Sequence, residues 1–325
     1  MIPESKKIAV KNALQTALGV DNYDSIQPIT IGLSNALTFR IVIKNKPYLM
    51  KIARTDELSA TENHFAYMKA GAEMGIAPHV WCLSTEDKIL ITDFIEAKPF
   101  PINKAIEVMP KLISSLHKLP PFHKTINYLD SMDGIVQRVL SAKFLPSNLT
   151  YEILKNYNLI KSVYPNNPED FVSCHNDLKP ENYIFDGERA WLIDWEAAFL
   201  NDRYVDLAVV GNFVVNNEDD EFQYLKNYFG EAPNKYIQAR FFLMQQLLHV
   251  FYTSIFIMYA SKSVPIKIDN AKSNFRDFHK HMWEGEIDLS KDENKLQYAL
   301  VHMNQFLSNI NIKRFQNSLH IISEN

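Results

Sequence analysis

A short segment concentrates the groups that phosphoryl transfer requires. Asp177, Asn182 and Asp194 follow one another in the pattern H-x-D-x-x-x-x-N, with the second aspartate twelve residues after the asparagine. The first carboxylate can accept the proton of an attacking hydroxyl, and the other two residues carry oxygens that Mg²⁺ prefers. The pattern parallels a kinase catalytic loop, so it predicts Asp177 as the base and Asn182 and Asp194 as Mg²⁺ ligands over ATP phosphates.

Local signals indicate how these groups could be brought together. Pro180 discourages a helix in the loop before Asn182. Residues 183–185 and 190–194 are predicted to form two short strands, joined by a two-residue turn at Asp186-Gly187. This hairpin would return Asp194 to the side of Asn182. The fitting context favours a catalytic loop over an ordinary polar surface loop.

Residues 174–210 resemble the aminoglycoside phosphotransferase and choline/ethanolamine kinase superfamily, whose members are small-molecule kinases with a protein-kinase-like fold. The motifs that carry the resemblance are His175-Asn-Asp177-Leu-Lys-Pro-Glu-Asn182, Leu192-Ile-Asp194-Trp-Glu196 and Asn201-Asp-Arg-Tyr-Val-Asp206-Leu-Ala208. The last two look most like the choline kinase branch. Asn176 stands where Ser/Thr protein kinases have Arg, and Trp195-Glu196 stands where they have Phe-Gly, which favours a small-molecule substrate. The similarity extends more weakly over about residues 25–260.

The order of predicted elements is that of a two-lobed, protein-kinase-like α+β fold. Residues 1–97 are predicted to form a nucleotide-binding lobe with a small antiparallel sheet, and residues 98–325 a larger, mostly helical lobe with the catalytic loop and substrate pocket. The small lobe is predicted to have helices over residues 4–18 and 58–74 and strands over 26–31, 36–43, 48–52, 79–83 and 89–94. A hairpin turn is expected at Asn45-Lys46, and the second helix is expected to end near Gly75.

The resemblance assigns ATP-binding roles to residues of the small lobe. Lys51, on the third predicted strand, would neutralise the α- and β-phosphates. Its expected ion-pair partner is Glu62 on the following helix, with Glu57 as the alternative. The remaining nucleotide contacts would come from the loop residues Ser34 and Asn35 over the phosphates and from the backbone of Asp93 and Ile95 beside the adenine.

Three residues near the catalytic motif have supporting roles by resemblance. His175 would brace the loop, and Asp206 would anchor it through backbone amides, with a plain helix N-cap as the alternative reading of Asp206. Glu196 would position a metal-bound water or a substrate cation.

The substrate is the least defined part of the prediction. His249 and Tyr252 fall where choline kinases place two caging tryptophans, and Ala197 stands where they have a tyrosine. Phe256, Tyr259 and Trp283 could add rings to such a cation–π cage, although an aromatic stripe on a helix is often part of a core. The acidic run 217–221 could instead serve an aminoglycoside, or be a solvated charge run.

Composition narrows the class of protein. The net charge is −4, the pI is about 6.2, and no basic stripe indicates nucleic acid. The two cysteines favour reduced thiols, and the N-terminal residues lack an apolar signal segment, so a cytoplasmic protein is expected. Residues 241–260 carry no charge, but their polar side chains favour a buried helix over a membrane span.

These observations predict an ATP- and Mg²⁺-dependent kinase that phosphorylates the hydroxyl of a small molecule. Choline or a related amino alcohol is the first expectation, and an aminoglycoside or another small metabolite is the alternative. A catalytically inactive kinase fold that acts as a binding module is the alternative of another class. The pattern leaves the oligomeric state open.

Overall fold

The computed structural model describes residues 2–29, 36–53, 58–123, 126, 128–168, 171–262, 264–266, 271 and 273–324. Ser34, Asn35 and Glu57 lie outside the described residues, and so does the side chain of Glu62. The chain divides into two compact units. The first comprises Met1–Phe100, Lys118–Lys124 and Glu181–Ala198, and the second comprises Pro101–His117, Thr125–Pro180 and Phe199–Asn325.

The first unit is built on a five-stranded antiparallel sheet with the strand order β1-β2-β3-β5-β4. Its strands are β1 (Ser25–Ile29), β2 (Leu37–Ile43), β3 (Lys46–Ile52), β4 (Val80–Ser84) and β5 (Ile89–Asp93). Alternate residues of β2 and β3 are buried and form a core with helix α1 (Lys7–Leu18). Lys51 lies between the buried residues Met50 and Ile52, so its side chain leaves the opposite face of the sheet.

The turn between β2 and β3 lies one residue earlier than expected. Lys44 and Asn45 both have positive φ angles, 50° and 64°, and Ile43 pairs directly with Lys46. Two consecutive left-handed residues make the turn whose twist matches that of a hairpin, and Asn tolerates this conformation well. Lys46 is therefore the first residue of β3 and not part of the turn.

Helix α2 (Leu58–Glu73) ends at a glycine, as predicted, and packs closely against the residues that follow Asp194. Gly75 has φ 75°, and the amide of Ile76 returns to the Gly71 carbonyl at 2.9 Å. A Cβ atom at Gly71 would lie 2.7 Å from Cζ2 of Trp195. The bare backbone at Gly71 therefore allows the indole that follows Asp194 to lie against the helix.

The second unit is mostly helical. Its helices are α3 (Ile102–Leu116), α4 (Tyr128–Ser141), α5 (Ser147–Val163), α6 (Arg203–Val214), α7 (Glu218–Phe229), α8 (Lys235–Ala260), α9 (Phe275–Trp283), α10 (Asp292–Asn309) and α11 (Lys313–Ser323). A two-stranded antiparallel ribbon joins β6 (Phe171–Cys174) to β9 (Phe199–Asp202). Helix α8 lies at the centre and contacts α4, α5, α6, α10 and α11. The antiparallel sheet and the helical remainder confirm the predicted α+β class.

Helix α8 is long and apolar enough to cross a membrane by length and composition, but 83% of its most apolar window is buried inside the protein. Two of its buried polar side chains donate to backbone carbonyls of the helix itself. Gln246 donates to the Phe242 carbonyl at 2.9 Å, and Thr253 donates to the His249 carbonyl at 2.7 Å. A core helix passes the same hydropathy test, so α8 is weak evidence for a membrane span.

Candidate active site

The segment before the predicted base is held by a buried carboxylate. Asp206, on α6 and fully buried, accepts the amide of His175 at 2.8 Å and that of Asn176 at 2.7 Å. Asn176 has φ 65°, a left-handed conformation that Asn tolerates, and its side-chain oxygen accepts from Asn201 at 2.7 Å. Asp206 lies in the first turn of α6, whereas the N-cap itself is Asp202. The contacts of Asp206 are those of a loop anchor.

The predicted base has a neighbour that the sequence reasoning missed. Lys179 lies 3.2 Å from Asp177, Nζ to Oδ1, and both side chains are partly exposed. Leu178 between them is buried, which turns the two charged groups away from the core together. A charge pair two residues apart in a loop has no periodic signal, so only the loop conformation reveals it.

The two predicted metal ligands, Asn182 and Asp194, are brought together by a hairpin of β7 (Tyr183–Phe185) and β8 (Ala190–Leu192). The amide of Ile193 donates to the Asn182 carbonyl at 3.0 Å. Asp194 has φ 60° and ψ 66°, and it precedes a 3₁₀ turn over Trp195–Ala197. Non-glycine residues seldom adopt this left-handed conformation, and those that do cluster at functional sites.

Two local details of this hairpin differ from the prediction. The loop has four residues, 186–189, because the Asp186 carboxylate accepts the amides of Glu188 and Arg189 and the indole N–H of Trp191. Desolvation raises the pKa of Asp186, but these hydrogen bonds outweigh it and lower the pKa to about 2. Residues Pro180–Asn182 form one 3₁₀ turn, since proline is well tolerated at a first helical position.

Lys51, on β3, is paired with the carboxylates of Asp194 and Glu196. Lys51 Nζ lies 3.1 Å from Glu196 Oε1 and 3.8 Å from Asp194 Oδ1. Glu57 and the side chain of Glu62, the predicted partners, lie outside what the structure describes. Glu196 therefore contacts the lysine, a contact that sequence spacing could not indicate because 145 residues separate the two.

The donor atoms of this segment suit a hard cation. Asn182 and Asp194 offer amide and carboxylate oxygens, the ligand types that Mg²⁺ accepts while it keeps several waters. Within the described residues, two other groups have the composition of a metal site: His117, Cys174 and Asp206, which are buried, and His281, Glu284 and Glu286, which are exposed. In the buried group both oxygens of Asp206 already accept backbone amides.

The predicted adenine contacts lie at the end of the sheet. Asp93 is the last residue of β5, and Ile95 follows it in a half-buried segment outside the sheet. The Asp93 carboxylate accepts the indole N–H of Trp81 at 2.9 Å and pairs with Lys46 at 3.1 Å. These side-chain contacts fix the end of β5, where the predicted backbone contacts would be made.

The predicted substrate residues lie in the core of the second unit. His249 is 2% exposed and Tyr252 is 6% exposed, both on α8. His249 Nδ1 lies 2.9 Å from His302 Nδ1, and the Tyr252 ring lies 4.9 Å from the His302 ring. Phe256 is buried as well, whereas Tyr259 is 42% exposed. These rings pack with one another, and their role toward a substrate stays a prediction.

The acidic run of the sequence forms the start of a helix. Asn217 caps α7 by accepting the Asp220 amide at 2.9 Å, and residues 218–221 form the first turn. Negative charge at a helix N-terminus is stabilised by the helix dipole. Glu221 in this turn is buried and paired with Arg314, so the run is not a free loop.

Solved structures show where this fold occurs. A choline/ethanolamine kinase family protein from Mesorhizobium loti superposes with a TM-score of 0.68 at 16% identity, covering 98% of this chain and 99% of that one. A spectinomycin phosphotransferase in complex with ADP and spectinomycin superposes with a TM-score of 0.59 at 17% identity, covering 91% and 98%. The predicted protein-kinase-like fold is therefore confirmed.

Sequence comparisons give the family. Protein LicA of Haemophilus influenzae is 35% identical over 78 residues, which cover 24% of this chain and 28% of that protein. The chain spans between 22% and 32% of the length of the curated relatives it matches. The model of the phosphotransferase enzyme family matches residues 25–236, which include the sheet, the anchored loop and the hairpin. The chain therefore belongs to the phosphotransferase enzyme family.

Proposed function

We propose that this protein is a kinase that transfers the γ-phosphoryl group of ATP to the hydroxyl of a small molecule, with choline or a related amino alcohol as the first acceptor class. The observation that carries the proposal is the group of Lys51, Asp194 and Glu196, assembled within 3.8 Å from two distant parts of the chain. Positive and negative groups of this kind are what a nucleotide-phosphate and metal site requires.

Each residue has a defined task in this proposal. Lys51 carries the positive charge that would hold the α- and β-phosphates. Asn182 and Asp194 would hold Mg²⁺, which when bound neutralises charge on the phosphates. Glu196 keeps Lys51 directed at this position until phosphates arrive.

Asp177 would accept the proton of the acceptor hydroxyl. It directly follows the two residues whose amides Asp206 holds, so its backbone is fixed by a buried anchor. Lys179, whose Nζ lies 3.2 Å from Asp177 Oδ1, forms an ion pair that orients the carboxylate. Proton acceptance by a positioned side chain typically contributes about 10²–10⁴-fold to the rate.

An amino alcohol is favoured by the resemblance of the motifs around Asp194 and Asp206 to the choline kinase branch. A cytoplasmic location belongs to the same proposal. The rings of α8 differ from two caging tryptophans, because His249 and Tyr252 stand at those positions. An amino alcohol with fewer methyl groups than choline, or a larger hydroxylated cation, would need fewer aromatic rings around its cationic group.

A coupled assay of ADP release with Mg·ATP would test the proposal against choline, ethanolamine, thiamine and a panel of aminoglycosides. We expect turnover of an amino alcohol and its loss in Asp177→Asn, with ATP affinity retained. The matched control is Glu188→Gln, an exposed charge of the hairpin loop. Turnover of an aminoglycoside alone would contradict the acceptor class, and Mg²⁺-dependent ATP binding without any turnover would support a binding module.

A further inference from the structure

We propose that His117 is a positioning residue for the phosphoryl transfer proposed above: it donates from Nε2 to Asp206 and thereby orients the carboxylate that holds the catalytic loop. His117 lies at the C-cap of α3, distant in sequence from the loop that it affects. The inference rests on the proposed function for its kinetic consequence, but the hydrogen-bond network exists independently of any reaction.

The network is buried and complete. His117 Nε2 lies 3.1 Å from Asp206 Oδ2, and the side chains are 3% and 0% exposed. The same carboxylate accepts the amides of His175 and Asn176 at 2.8 and 2.7 Å. Three N–H groups therefore satisfy one buried carboxylate, and removal of any one would leave part of its charge uncompensated.

The contacts of the other ring nitrogen determine the tautomer. Both oxygens of Asp206 accept backbone amides, so the carboxylate is the acceptor and Nε2 of His117 is the donor. Nδ1 then has a lone pair, and Tyr228, on α7, donates its hydroxyl proton to it across 2.7 Å. Burial raises the pKa of Tyr228, so the phenol keeps that proton. The donor chain runs from Tyr228 through His117 to Asp206.

Cys174 completes the surroundings of the imidazole. Its Sγ lies 3.6 Å from His117 Nε2, and the residue is fully buried. Burial raises the pKa of this thiol, so it stays protonated and adds no second anion beside Asp206. The imidazole is thus enclosed by a thiol, a phenol and a carboxylate, and it can turn in neither direction without losing a hydrogen bond.

A shift of Asp206 would act on catalysis through the backbone. The two amides that it holds belong to the residues directly before Asp177. Loss of the His117 donor would let the carboxylate rotate and the loop move with it. Misplacement of a reacting group by about 1 Å can cost about 10²-fold in rate, whereas the nucleotide contacts proposed above do not include these amides. The expected signature is a lower kcat with an unchanged KM for ATP.

Two amide substitutions distinguish positioning from packing. The side-chain N–H₂ of Gln can occupy the place of Nε2, whereas that of Asn overlaps Nδ1 and cannot reach Asp206. We expect His117→Gln to keep kcat within about threefold and His117→Asn to lower it about tenfold or more, with KM for ATP unchanged in both. The control is His320→Asn, an exposed histidine with a 69% accessible side chain.

Amide hydrogen exchange of residues 174–177 gives a second readout that does not depend on turnover. We expect faster exchange in His117→Asn than in His117→Gln, with unchanged exchange in α8. If His117→Asn does not fold, Tyr228→Phe serves in its place, with a smaller loss of kcat and a local rise in exchange. Equal kcat and equal exchange in the Gln and Asn variants, or an unaffected Tyr228→Phe, would overturn the proposal. The expected exchange pattern in an enzyme that phosphorylates no acceptor would instead overturn the proposed function alone.

Discussion

Three histidines packed in the second unit make its stability sensitive to acid. His249, His279 and His302 are each at most 2% exposed and lie close together, with ring centroids 5.1 Å apart for His249 and His302 and 5.2 Å for His279 and His302. Burial, together with mutual repulsion and the charge of Arg276, lowers the pKa of His249. The pKa of His302 is lowered by burial and by the other two histidines, and burial lowers that of His279 to about 3.

The direction of the pH effect follows from these lowered values. In the unfolded chain each imidazole has an ordinary pKa near 6.5 and takes up a proton below it, whereas the folded protein keeps the ring neutral. The contribution to stability is therefore present above pH 6.5 and is lost as the pH falls. At pH 5.5 each ring should lower the unfolding free energy by about 1.4 kcal/mol, and the three together by roughly 4 kcal/mol. That is a large part of the roughly 5–15 kcal/mol that stabilises a typical fold.

Urea unfolding curves at pH 7.5, 6.5 and 5.5, followed by far-UV circular dichroism, would measure this loss. Burial raises the pKa of Glu221. Its contribution to the unfolding free energy therefore increases as the pH falls and partly offsets the loss from the histidines. The comparison with His302→Leu isolates the histidines, because removal of one ring should reduce the pH-dependent loss by about a third. His320→Leu, at an exposed site, should leave it unchanged. An unfolding free energy that is equal at pH 7.5 and 5.5 in the wild type and in His302→Leu would refute the reasoning.

Three further substitutions, one of them with a matched control, test the site and its support. Asp194→Ala should abolish Mg²⁺-dependent binding of ATP in calorimetric titrations, since a carboxylate is the main ligand available there; an unchanged Mg²⁺ dependence would place the metal elsewhere. Gly71→Ala should weaken Mg·ATP binding and lower the melting temperature, because its Cβ would lie 2.7 Å from the Trp195 ring. Gly134→Ala in α4, which meets nothing within 4 Å, should instead stabilise the protein by up to about 1 kcal/mol, and equal effects of the two would contradict the packing reason. Tyr252→Ala should lower the unfolding free energy by about 3 kcal/mol because the ring is buried, and it should raise KM for a quaternary ammonium acceptor about fivefold beyond any rise for ATP; equal rises in the two KM values would restrict Tyr252 to the core.

The sequence by itself determined what depends on local pattern. Period-two alternation and turn residues predicted the strands of the sheet within a few residues, and the position of Lys51 between Met50 and Ile52 predicted the face from which it projects. The resemblance of the catalytic motif to known kinases predicted the family, because chemistry of this kind confines residue types over a short stretch. The turn at Lys44-Asn45 was misplaced by one residue, because a left-handed conformation is uncommon for lysine and nothing in the sequence marks Lys44 for it.

Only the tertiary structure decided which distant side chains meet. Lys51 and Glu196 are 145 residues apart, and His117 and Asp206 are 89 apart. Helix packing and strand pairing bring such residues together across long separations in the chain, so no sequence periodicity relates them. The environment of His249 was undecided for the same reason: a polar residue on an apolar helix acquires its neighbours, and with them its charge state, from the helices that cover it.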